Sequence, residues 1–300
     1  MDEKYLLGVA LAVLSGTFFQ FGLVLQKKVV NEVPREAREK RFMRTLLKRP
    51  LWITGFLLEF GVGTTAFLLA QGLIGPALVP GLMASGLIIL AIGSAQINGE
   101  TLNRAEVVGI GLMILGILSL GLSQLGISIE VVREALTRPD TVRRIAFFSS
   151  TLLLLWTATH MLSLRDRNRK GILMAFSNGF PFSLSNFWVS PLLAVIFLVL
   201  GGKGSFGQVV IFVLASVILV GANVLGIRQT QEAFKFAQAS NAIPVQQVSI
   251  QISPILVYFY VFSLTPPTRI SAACMIGGVL LILTSGFLLG RRQSEIEAIE

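Results

Sequence analysis

The sequence predicts an all-α, polytopic membrane protein of about nine transmembrane helices arranged as two inverted repeats, and three observations carry that prediction. Apolar runs of about 20 residues, enough to cross a ~30 Å hydrocarbon core at 1.5 Å per residue, recur along the chain. Only 14% of its 300 residues are charged while 53% are hydrophobic, against roughly a quarter charged in soluble domains. The basic residues collect in the short connections between apolar runs, which is how topology is encoded. The net charge of +9 is therefore read as topological. The lipid bilayer is an expected partner and nucleic acid is not.

The first span is expected from Tyr5 to Leu25, with Gly8, Ser15, Gly16 and Gly22 as small faces for a neighbouring helix. It ends at Gln26-Lys27-Lys28 and opens the basic loop 27–49, in which nine Lys and Arg outnumber Glu32, Glu36 and Glu39. Such a loop belongs on the cytoplasmic side. Spans two and three fill the stretch Trp52 to Glu106, separated by a Gly/Pro turn. In the second span Glu59 lies among Phe56, Leu57, Leu58 and Phe60, roughly 10 Å inside Trp52 by helical rise. A carboxylate at that depth needs a partner, a wet cavity or a cargo. Glu59 is thus the candidate coupling or substrate-charge residue, carrying a proton or facing a cation; a plain interhelical hydrogen bond is the alternative.

The fourth span, about Ala105 to Leu122, carries Gly109, Gly111, Gly116 and Gly121 as packing surface. Residues 126–144 are polar and mixed in charge, and an interfacial helix ended by Pro139 is expected there. The fifth span, Ile145 to Leu162, holds the single histidine, His160, expected to be satisfied locally. A second basic knot at 165–170 should share the side of the first. The sixth span, Gly171 to about Val199, contains Pro181 and Pro191, so a kink or tilt is expected. The seventh begins near Gln208, the eighth covers Asn241 to Phe262 and the ninth Ile270 to Leu289. Ser183, Asn186, Asn223, Gln229, Gln247 and Gln251 are too polar to face lipid and are candidate cavity-lining residues.

A shift of 164 lays Pro80 on Pro244 and Glu59 on Asn223, and a shift of 162 lays Ser15 on Ser177. Five spans separate the paired elements, so the second copy runs inverted. The chain divides into a first repeat at 1–125, an interfacial segment with span five at 126–170, and a second repeat at 171–300. Nine crossings put the N-terminus outside and the C-terminus in the cytoplasm, with 18 of the 25 basic residues inside. The plasma membrane is the expected location. One histidine, one cysteine (Cys274) and no Walker-type glycine loop leave an enzyme without parts, and no cofactor is expected.

Gly99-Glu100-Thr101-Leu102 followed by Glu106, Gly109 and Gly116 resembles the signature that closes the first repeat in the drug/metabolite transporter superfamily, of EamA-like type. Gln229, Ala233-Phe234, Ala239 and Pro244 resemble that superfamily's corner before a proline-bearing span. Gln26-Lys27-Lys28, Trp52 followed by Glu59, and the nine-span count resemble its NIPA-like magnesium transporter branch, although this chain has Leu58-Glu59 where the branch has Gly-Glu. The resemblance implies a secondary transporter working by alternating access through a central cavity. Pro80, Pro244, Glu100 and Gly109 are then structural positions of the motif. Two cargoes stay open: a small polar or amphiphilic solute, toward which Phe182, Phe187 and Trp188 tilt the reading, or Mg2+, with Glu59 as the metal-facing carboxylate. A non-transporting membrane scaffold is the reading of a different class, and monomer and homodimer are both open.

Overall fold

The computed structural model describes residues 3–34, 42–74, 79–83, 85–123, 127, 129–166 and 169–297, with the side chains at 3–5, 71, 72, 74, 80, 81, 129 and 292–297 outside the described set. Helices α1 (Glu3–Glu32), α2 (Phe42–Leu46) and α3 (Pro50–Phe56) open the chain. A π-helical stretch, Leu57–Gly63, joins α3 to α4 (Thr64–Ile74) without a break. Then come α5 (Val79–Met83), α6 (Gly86–Asn98), α7 (Arg104–Leu122), α8 (Ile129–Ala135), α9 (Pro139–Arg165), α10 (Lys170–Leu200), α11 (Phe206–Ala233), α12 (Ala239–Leu256), which runs into a second π stretch at Val257–Val261, and α13 (Arg269–Glu297). Among the described residues eight helices are long and apolar enough to cross a membrane.

Over the third expected span the described residues form α5 and α6, with Ser85 in a turn before α6. α1 crosses the chain beside that turn. A Cβ on Gly16 would stand 2.2 Å from the Met83 carbonyl oxygen, and one on Gly86 would stand 2.2 Å from the Gly16 oxygen, so backbone meets backbone there. Hydropathy locates the run correctly but carries no sign of that contact.

Two other boundaries shift for local reasons. α1 continues to Glu32 rather than stopping at Leu25, because Gln26 and Lys27 are buried at 1% and 6% exposure with partners on other helices. Pro139 begins α9 instead of ending α8, since proline's missing N–H costs nothing in a first helical turn. The 126–144 segment is also more than interfacial. Val132 is buried against Ala194 and Val195 of α10, and Arg133 Nε donates to the Ala194 oxygen at 3.1 Å. α10 holds Pro181 and Pro191 inside one continuous helix.

Glycine contacts and hydrogen bonds fix the relative directions. Ser15 donates to the Gly63 oxygen and Gly22 packs on Gly55, so α1 and α3–α4 run antiparallel. Gly16 meets Gly86 and Val24 meets Gly93, so α1 and α6 run parallel. Ser185 pairs with Asn223 and Ser177 with Gln229, making α10 and α11 antiparallel. Gly179 against Gln246 and Ser183 bonded to the Ser249 oxygen make α10 and α12 parallel. Finally α7 and α13 lie antiparallel, with Gly109 on Leu289, Gly116 on Ile282, and Ser123 bonded to Ser271.

Candidate functional site

Several chain segments meet at one end of the bundle: the end of α1, the start of α3, the α6–α7 corner and the α11–α12 corner. Lys27 Nζ donates to the Phe234 and Ala237 oxygens at 2.5 and 2.7 Å, filling carbonyls that the end of α11 leaves open. Glu100 takes the opposite role at the start of α12. Its Oε1 accepts from the Ala239 N–H at 2.7 Å, and its Oε2 accepts from the Ser240 N–H at 3.0 Å and the Ser240 hydroxyl at 2.7 Å. A carboxylate on a helix N-terminus satisfies open N–H groups and meets the positive end of the dipole. Glu106 closes a capping box with Asn103 and accepts from Asn241 Nδ2 at 2.8 Å. Glu100 and Glu106, both in the signature stretch, are buried at 8% and 0% exposure.

Inward from this clamp lies Glu59, 8% exposed, in the π stretch. A π turn widens the helix by one residue and recurs at functional sites. The Glu59 Cβ faces Gly22 of α1, where a side chain on the glycine would meet it at 3.1 Å. Gln26 Nε2 donates to Glu59 Oε2 at 2.6 Å. The Gln26 carbonyl accepts from Gln231 Nε2 at 2.5 Å, and the Gln231 carbonyl accepts from Trp52 Nε1 at 3.0 Å. Gln26, Gln231 and Trp52 are each at most 2% exposed. A directed chain of hydrogen bonds thus runs from α3 through α11 and α1 to the carboxylate. Gln26 and Gln231 were not candidate site residues by sequence. The available signal was their type, uncharged amides closing two apolar runs, but nothing local pairs residues that lie 205 positions apart.

The remaining candidates divide. Asn223 Nδ2 donates to the Ser185 hydroxyl at 2.7 Å and to the Leu219 oxygen at 2.8 Å. Gln229 is held on all sides: Trp156 Nε1 donates to its carbonyl at 2.8 Å, while its Nε2 donates to Ser177 and lies 3.1 Å from His160 Nδ1. That is an interhelical joint between α9, α10 and α11, and it accounts for His160, which also stacks on Trp156. Ser183 donates to the Gly179 and Ser249 oxygens. Gln251 Nε2 donates to Gln247 Oε1 at 3.2 Å, both half-buried on α12. Asn186 is exposed on α10 and Pro244 buried in α12, while Pro80 sits in α5 with its side chain outside the described residues. Gly109 supports the α7–α13 contact and receives the Ser285 hydroxyl on its carbonyl at 2.6 Å.

Two observations bear on cargo. Phe187 and Trp188 are buried in a core with Phe148, so these two aromatics do not line a polar face, while Phe182, partly exposed, packs on Gly226. Among the described residues no group of three His, Cys, Asp or Glu side chains gathers as a metal cluster. Gln20 Oε1, on α1 within a turn of Gly22, and Asn178 Oδ1 are buried without a donor among the described residues, and Glu59 supplies a carboxylate.

Long apolar helices with polar groups turned inward define an integral membrane protein. Over residues 3–295 the sequence matches the family described as Magnesium transporter NIPA, and the chain belongs to that family of membrane transporters. No curated protein and no solved structure matches it.

Proposed function

We propose that the protein carries Mg2+ across the membrane by alternating access between two inverted halves, with Glu59 neutralising the cargo. Family membership favours a divalent cation over an organic solute, and the burial of Phe187 and Trp188, with Phe182 packed against Gly226, weakens the reason for preferring the latter. Mg2+ takes oxygen ligands and keeps several waters. One carboxylate with a few amide oxygens therefore suits a transported ion better than a closed protein cage would.

The observation that carries the reading is the register of Glu59. The contact of Phe19 with Gly63 recurs as Phe182 with Gly226, and that of Gly16 with Gly86 recurs as Gly179 with Ser249. Both sets are 163 residues apart. Glu59 beside Gly22 answers to Asn223 beside Ser185, where the offset on α11 is 164. The π stretch accounts for the difference, because it adds one residue between Glu59 and Gly63. The two polar groups thus hold equivalent places in the two halves, and α1 runs opposite to α10. Inverted repeats with a site at their interface are a recurrent transporter design.

The excess of basic residues at the Lys27 end supports a cytoplasmic assignment for that end and an outside N-terminus. The clamp of Lys27, Glu100 and Glu106 on the α11–α12 corner supports alternation, since it holds that end shut. The test is Mg2+ influx into proteoliposomes with an entrapped indicator. Wild-type protein drives influx, and Glu59→Gln reduces it at least tenfold while the purified variant stays folded. Flux unchanged in Glu59→Gln rules out the assigned role.

A further inference from the structure

The geometry points to Gln26 and Gln231 as positioning residues that report cargo on Glu59 to the contact between the two halves. The inference rests on Glu59 being the cargo carboxylate. Its basis is the polarity of the chain. Trp52 Nε1 can only donate, so Gln231 must turn its carbonyl to Trp52 and its amide nitrogen to Gln26. Gln26 in turn accepts on its carbonyl and presents its nitrogen to Glu59 at 2.6 Å. The donor-only indole at Trp52 thus leaves the two amides between it and Glu59 a single arrangement.

That arrangement fits Glu59 without a cation. An ion on the carboxylate repels the Gln26 NH2 and attracts its carbonyl oxygen, the atom a hard cation takes as ligand. Once Gln26 turns, its nitrogen faces the nitrogen of Gln231, so Gln231 turns as well. The Gln231 nitrogen then faces the Trp52 N–H, donor against donor, at a site where Trp52 and Gln231 are 2% and 1% exposed and water cannot substitute. Loading therefore breaks the Trp52–Gln231 bond, which joins α3 of the first half to α11 of the second. The clamp formed by Lys27, the residue after Gln26 on α1, grips the Phe234 oxygen one helical turn beyond Gln231.

The test uses the full chain in lipid nanodiscs, labelled with 5-fluorotryptophan. The three tryptophans give three fluorine resonances, and Trp52→Phe assigns that of Trp52. Saturating MgCl2 is expected to move the Trp52 resonance and leave those of Trp156 and Trp188 in place. In Gln26→Leu, at the MgCl2 concentration that saturates its thermal stabilisation, Trp52 should stay at its Mg2+-free position although its bond to Gln231 remains. Trp52 silent in wild type, while Mg2+ stabilises the protein in a Glu59-dependent way, overturns the inference and leaves the proposed function standing. An equal Trp52 shift in Gln26→Leu also overturns it. Mg2+ stabilisation that is the same in wild type and Glu59→Gln overturns the cargo reading and the inference together. The wild-type response decides alone if Gln26→Leu does not fold.

Discussion

On the proposed pairing of the two halves Glu59 answers to Asn223, and only one of them can carry a charge. An ionised carboxylate in mid-span is expensive unless something pairs with it, and among the described residues the Glu59 carboxylate is met by the Gln26 amide. Glu59→Gln keeps the shape and an acceptor for Gln26, which is why it should separate transport from folding. Gln229 makes the opposite prediction. Every polar atom of its side chain is engaged by Trp156, Ser177 or His160. Gln229→Leu leaves those groups unpartnered, at about 1–3 kcal/mol for a buried group. A thermal melt should show that loss, while the Mg2+ flux per folded molecule should stay within about twofold of wild type. The sequence marks Asn223 and Gln229 as polar groups within one apolar run. Whether each faces a cavity or a helix is set by partners on α9 and α10, which no periodicity within α11 reveals.

At the scale of elements, eight of the nine expected spans stand as long helices among the described residues, because a run of apolar residues is sufficient information for a crossing. What it misses is made by contact between elements. The third span has a turn at Ser85 where Gly16 of α1 presses on Met83 and Gly86, and the π stretch of the second span surrounds a glutamate that packs on Gly22. Both features lie against α1, which serves as the packing post for these spans. Gly16→Ala tests this directly. Its Cβ would lie 2.2 Å from the Met83 oxygen, and a backbone atom cannot move aside as a flexible side chain can. Overpacking of this kind costs about 1–3 kcal/mol, so a lower melting temperature is expected together with weakened transport. Gly111→Ala, on the open side of α7, meets nothing within 4 Å and should match wild type in both measurements.

At the scale of the whole molecule, the groups that close the Lys27 end come from the first half and the backbone they grip belongs to the second. Glu100 holds the N-terminus of α12 through three hydrogen bonds, and Lys27 holds two carbonyls at the end of α11. Contacts of this sort suit a gate. They are specific when the two halves approach, and when the halves part, water can take over both the charges and the helix ends. Glu100→Gln should therefore favour opening, because a neutral amide loses the attraction to the helix dipole and has one acceptor oxygen where the carboxylate has two. Ala237, 2% exposed beneath the clamp, is a suitable reporter. In a Cys274→Ala background, Ala237→Cys should react slowly with a membrane-impermeant maleimide applied from the cytoplasmic side. Adding Glu100→Gln should speed that reaction several-fold, while a cysteine at exposed Lys203 should stay unreactive from the same side. Equal rates at Ala237→Cys with and without Glu100→Gln would make the clamp a fixed joint. Reaction of Lys203→Cys from the cytoplasm would instead overturn the orientation assigned from the basic residues.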